Sequence, residues 1–203
     1  MLNTIPTPAH IVAAFHAIDD LADVSAGIAW YEDAYGMAET LGVVYGCTTA
    51  QAAGIIAALS PQQGWAQNVK AAEKFLATGA RVHTESNMGK CRRILAGEDI
   101  LKVLNAPKTQ NFYLGIVSMG VQGVCIDRHA LDIALGVRHT DASRPAIGAR
   151  LYVTAAQAYR DAAEALNAEG VVITPAELQS VTWAAHVPVW SGVKTGEPVA
   201  LSY

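Results

Sequence analysis

The sequence predicts an all-α fold, and three observations carry that expectation. Apolar residues recur at helical spacing through most of the 203 residues, period-2 runs of branched or aromatic residues are short and rare, and helix-start and helix-stop signals follow one another along the chain. Just over half of the residues are apolar, enough to bury a substantial core. The length fits a single compact helical domain of about 8–10 helices, or a tightly fused pair of helical lobes.

The elements follow in order. Residues 10–23 place Ile11, Phe15, Ile18 and Leu21 on one stripe, and residues 26–41 do the same with Trp30, Ala34, Met37 and Leu41. Thr48 followed by Gln51 is a capping box for a helix over Thr49–Leu59, which ends before Ser60-Pro61. Another helix runs over Trp65–Thr78 and stops at Gly79. Residues 86–104 read as two short helices broken at Ala96-Gly97, and Pro107 fits the first turn of the next, over about residues 108–119. Residues 121–126 are the nearest approach to a strand pattern, and Asp127 then opens a helix that Gly136 stops. Leu151, Tyr152, Ala155, Tyr159, Ala163 and Leu166 mark one long amphipathic helix. Thr174-Pro175-Ala176-Glu177 combines a capping box with proline at the first helical position, and the helix it opens carries Leu178, Val181 and Trp183. An irregular tail is expected from Pro188.

Composition narrows the function classes. Cys47, Cys91 and Cys125 are odd in number and widely spaced, which points to buried small hydrophobes rather than a disulfide framework or a Cys-x-x-Cys site. The six histidines form no pair at metal-ligand spacing, so no metal and no cofactor are expected. No basic run precedes an apolar stretch at the N-terminus and no window approaches a membrane span, so the expected location is the cytoplasm. The net charge of -4 conceals a segregation: residues 1–69 sum to -6, residues 70–150 to +5 and the remainder to -3. The basic middle third can hold a phosphate backbone, with Arg92 and Arg93 as candidate contacts, although an uneven solvated surface explains the same count.

The most informative stretch is Leu104-Asn105-Ala106-Pro107-Lys108-Thr109-Gln110-Asn111-Phe112-Tyr113, followed by Val124-Cys125-Ile126-Asp127-Arg128-His129-Ala130. A helix over residues 108–119 is about 18 Å long, and the seven residues after it span roughly 23 Å when extended, so the chain can return alongside the helix. Lys108 and Asp127 then stand at the N-terminal ends of two helices, where free N–H groups favour anions.

This stretch resembles the catalytic core of the helix-hairpin-helix DNA glycosylases, which carry a lysine at the start of the helix after a hairpin and an Asp-x-His 18 or 19 residues later. The separation here is 19. The resemblance covers about residues 104–138, within an expected catalytic core of about residues 86–140. It implies DNA as partner and cleavage of an N-glycosidic bond, with Lys108 and Asp127 as the catalytic pair. Asp127 would offset the oxocarbenium charge or activate a water, and a neutral Lys108 amine would attack the sugar to form a Schiff base, adding abasic-site strand cleavage. Arg128 and His129 would hold the phosphates of an extruded nucleotide.

Gln62, Trp65 and Asn68 resemble the helical junction before the family's hairpin and are candidates to stack on or hydrogen-bond a base. Asn111 and Tyr113 are further substrate-contact candidates, and Trp30, Tyr31, Gln179 and Trp183 either line the same pocket or belong to the core. Residues 104–107 contain no glycine where the family's hairpin has a Gly-x-Gly turn. The same motifs resemble phage-associated relatives of the superfamily, which implies one alternative, a base-modifying transferase on the same scaffold; a separate alternative is a non-catalytic DNA- or protein-binding helical domain. As a helix cap and a solvated lysine, Asp127 and Lys108 also have ordinary structural readings.

Overall fold

Residues 5–190 and 199–201 are described in a computed structural model, and they are almost entirely helical. The helices are α1 (Pro8–His16), α2 (Leu21–Tyr45), α3 (Thr49–Leu59), α4 (Trp65–Thr78), α5 (Glu85–Leu95), α6 (Ile100–Val103), α7 (Pro107–Val117), α8 (Arg128–Leu135), α9 (Ala149–Ala168) and α10 (Pro175–Trp190). A two-residue strand, β1 (Val137–Arg138), pairs antiparallel with β2 (Val199–Ala200), placing Val137 opposite Ala200 and Arg138 opposite Val199. No single helix among the described residues is long and apolar enough to cross a membrane, although α2 and α3, bent by 113° at their break, pass that test as a pair. The apolar run of α3 is core, because every residue from Ala52 to Leu59 is buried.

The chain divides into two compact units. One combines Met1–Trp30 with Gly120–Tyr203, and the other is the continuous Tyr31–Met119. The boundaries fall inside α2 and just after α7.

In the continuous unit, α3 is the central helix and packs against α4, α5 and α7. Its alanine and glycine content permits this closeness: a Cβ at Gly54 would stand 2.9 Å from Ile100 Cγ2 and 3.3 Å from Ile94 Cδ1. On α7, Gly115 leaves room for the Tyr31 ring, which occupies the space a Cβ would need. The Thr48–Gln51 capping box forms as expected, and the Gln51 amide also donates to the carbonyls of Ile94 and Leu95 at the end of α5. Gly79 closes α4 with φ +66, where glycine escapes the Cβ clash other residues meet.

In the discontinuous unit, α1 packs on α8 and α9, and α10 on α8 and α9. Ile11, Leu131, Tyr159, Leu166, Leu178 and Val181 meet in its core. The long amphipathic helix and the Thr174 capping box form as expected, and Thr174 Oγ1 also donates to Gly120 O at 2.7 Å. Gly136 stops α8 with φ +64.

Four sequence-based expectations are corrected. The first helix ends at His16 rather than residue 23: Asp20 accepts from the Ala22 N–H at 2.8 Å and starts α2, so Leu21 is 80% exposed. Accordingly α2 runs from Leu21 to Tyr45, and its buried stripe is Tyr31, Ala34, Ala38 and Leu41, while Met37 faces outward. Residues 121–126 form no strand; the extended pair is β1 with β2. Beyond Pro188, α10 continues to Trp190 and residues 199–200 are strand; the rest of the expected irregular tail lies outside the described residues.

Candidate functional site

Asp127 is the N-cap of α8. One carboxylate oxygen accepts from the N–H groups of His129 (2.9 Å) and Ala130 (2.8 Å), and the other accepts from the Trp183 indole on α10 (3.2 Å). A carboxylate has about four acceptor positions, so with three donors in place one is left for a substrate or a water. Tyr152 on α9 holds the approach to this cap: its hydroxyl donates to Val124 O at 2.8 Å and accepts from Ile126 N at 3.3 Å. The backbone is therefore bonded just before Asp127 and again just after it, and the carboxylate is held on both sides.

Arg128 and His129 follow directly. Arg128 Nε donates to His129 Nε2 at 3.1 Å, which requires a lone pair on that nitrogen. Burial lowers the His129 pKa below the ordinary histidine value; Asp127 and Asp132 oppose that shift, while Arg128 and Arg144 reinforce it. Arg128 also approaches Asp141 at 3.6 Å, and Asp141 is itself held below the usual carboxylate range by Arg144 and Arg128.

Beneath these groups lies a buried cluster that sequence reasoning missed. Asp132, with no exposure, accepts from His139 N (3.2 Å), His139 Nδ1 (3.1 Å), Arg144 Nε (3.1 Å) and Arg144 Nη2 (2.8 Å). Arg144 also donates to His139 O and to Asp141, both at 2.8 Å. Every donor aimed at Asp132 is paired, so the charge is buried without an orphan.

The candidates of the continuous unit are placed differently. Lys108 is half-buried in the first turn of α7. Asn111 donates to Pro107 O at 2.8 Å, and half-buried Tyr113 has its pKa raised by burial and by Asp99. Trp65 meets Phe112 edge to face, ring centroids 6.5 Å apart. Asn68 is buried, and its Oδ1 has no hydrogen-bond partner. Arg92 and Arg93 are each ion-paired at 2.7 Å, with Glu85 and Glu98 respectively.

Gln62 lines an open cleft of about 730 Å³ that also takes in Gln63, Lys70 and Lys74 of α4, Arg81 and His83. Neither Trp65 nor Asn68 lines it. Lys70, Lys74, Arg81 and His83 were not singled out by sequence; the two lysines, four apart on one face of α4, were the available signal. Of the sequence-based set, Asp127, Arg128 and His129 belong to the discontinuous unit, and the others named here to the continuous one.

Of the residues that the sequence suggested for pocket or core, Tyr31 is core, Gln179 is buried, Trp30 is half-buried, and Trp183 holds Asp127. Cys91 and Cys125 are buried, as expected, whereas Cys47 is only half-buried; burial pushes the Cys91 thiol up to about 12, far from a reactive thiolate. Comparison with curated proteins and with solved structures returns no match. Residues 3–191 match a family of unknown function, DUF7178, and the chain belongs to that family.

Proposed function

We propose that the chain is a DNA glycosylase-like enzyme acting on a damaged or modified base, with Asp127 at the reacting sugar. The observation that supports this reading is the Asp127 carboxylate, held from two directions at the head of α8 beside the Arg128–His129 pair. As the bond from the sugar to the base breaks, its electrons leave with the base and positive charge develops at the sugar. A fixed carboxylate offsets that charge without reorganising. It also accepts a proton from the water whose oxygen bonds to the sugar carbon. The resemblance adds a second route, in which the Lys108 amine displaces the base and forms a Schiff base.

The test is borohydride trapping together with an assay for released base, using DNA carrying modified thymines, uracil, oxidised bases or abasic sites. Asp127→Asn keeps a good N-cap and is expected to lower base release by about 100-fold or more. Lys108→Gln is expected to abolish any trapped adduct. Wild-type protein that neither releases a base nor forms an adduct on any of these substrates would falsify the reading.

A second reading, a non-catalytic nucleic-acid-binding domain, is favoured by the engagement of one Asp127 oxygen as an ordinary N-cap by two backbone N–H groups. It expects DNA binding without chemistry, unchanged in Asp127→Asn.

A further inference from the structure

The cleft beside α4 has chemistry of its own. Lys70 and Lys74 are four residues apart on one helix, about 6 Å along its axis, and Arg81 stands in the facing segment. Among the described residues none of the three forms an ion pair, although Arg92, Arg93, Lys102, Arg128 and Arg144 all do. Of the nearby acids, Glu85 pairs with Arg92 while also lying within the field of Arg81, and Glu73 accepts from the Tyr45 hydroxyl. Three like charges converging on one concavity repel one another, and an anion relieves that repulsion.

The end of the cleft nearest the start of α4 is built from amides. Ser60-Pro61-Gln62-Gln63 is a turn closed by Gln63 N–H onto Ser60 O at 3.3 Å, with Gln62 at φ +63. That is the position at which a type II turn normally takes glycine, and holding a glutamine there costs on the order of 1 kcal/mol. Gln63 Oε1 is buried and has no hydrogen-bond partner. The exposed amide of Gln62 offers a donor and an acceptor to the edge of a base, and the half-buried Gln63 side chain beside it has hydrogen-bonding capacity unmet within the described chain. His83 ties the two walls together. Its Nδ1 accepts from Thr84 N at 2.8 Å and from the Asn87 amide at 2.9 Å, so its other nitrogen carries the proton and donates to Pro61 O at 3.0 Å.

We propose that this cleft binds a single strand of nucleic acid, its phosphates on Lys70, Lys74 and Arg81 and a base edge on the amides of Gln62 and Gln63. Its volume, about 730 Å³, lies in the range of small-ligand sites and accommodates one nucleotide whose base edge is left free to pair, as in a single strand. An acidic peptide matches the charge as well, and the polyglutamate competition below separates it from a strand. The inference stands on the cleft alone and does not depend on Asp127 chemistry, so the two fail separately: one is read by binding, the other by base release.

The experiment is fluorescence anisotropy of a labelled short single-stranded DNA with the full chain, over a salt series. The triple variant Lys70→Gln, Lys74→Gln, Arg81→Gln is expected to lose at least about 10-fold in affinity, and its salt dependence to flatten by about 0.7 for each phosphate contact removed. The control variant Lys102→Gln, at an exposed lysine that does not line the cleft, is expected to lose less than about threefold. If the triple variant unfolds, each single substitution is read instead, with a loss of one contact's slope expected from each. Four results overturn the proposal: no binding by the wild type, a triple variant (or every single one) that binds with unchanged affinity and slope, a duplex that binds more tightly than the strand, or equal competition by free thymidine monophosphate or polyglutamate.

Discussion

The two units treat their buried polar groups in opposite ways. In the discontinuous unit, Asp132 receives four donors and Asp127 three, and the hydroxyl of Tyr152 is bonded both as donor and as acceptor. In the continuous unit, Gln63 and Asn68 keep amide oxygens that are buried and unsatisfied, and three cations share a cleft without an acid. A fully satisfied network fixes atoms in place, whereas an unsatisfied one leaves affinity for something still to come. Under the two proposals above, the first positions a reacting group and the second receives a ligand.

The largest effect is expected at Asp132. Asp132→Asn leaves Arg144 half-paired and turns an amide N–H toward other donors, with an expected loss of about 3–5 kcal/mol in urea unfolding. A loss below about 1 kcal/mol would show that the network contributes little to positioning α8.

A smaller effect is expected from pH. Burial depresses the folded-state pKa of His129, so the unfolded chain takes up a proton at a higher pH than the native one. Stability attributable to this ring is therefore full above the unfolded value of about 6.5 and declines as pH falls below it, levelling off once the native ring protonates. The midpoint of urea unfolding is expected to drop between about pH 7.5 and 5, and more steeply in wild type than in His129→Gln. Equal slopes in the two proteins would refute the assignment.

The smallest effect is in the cleft. Gln62→Gly relieves the positive φ and is expected to exceed Gln62→Ala in stability by about 1 kcal/mol while weakening strand binding. If alanine proves the more stable of the two, no strain is held at that turn.

Much of the local architecture was legible because its signals act over a few residues. The Thr48–Gln51 and Thr174–Glu177 boxes, the glycine stops at Gly79 and Gly136, and Asp127 as a helix cap all form where the sequence placed them. Features that depend on chain reversal were not legible. Asp132 meets Arg144 twelve residues on only after β1 and the turn behind it, and β1 finds its partner more than 60 residues away. Arg92 and Arg93 stood out as positive charge, yet Glu85 lies two helical turns before Arg92 and Glu98 just past the end of α5, and each cancels one of them. The cleft lysines were hidden by a segment-wide charge count, which weighs every cation alike whether or not an acid is beside it.

The interrupted connectivity of the discontinuous unit sets an order of assembly on the ribosome. Tyr31–Met119 leaves the exit tunnel as one stretch and can collapse around α3 while the rest is still being made. The apolar face of α1, with Ile11 and Ala14, has no such option, since its packing partners α8, α9 and α10 are translated last. At roughly 5–20 residues per second, α1 waits several seconds with that face uncovered, an interval in which a chaperone has something to hold.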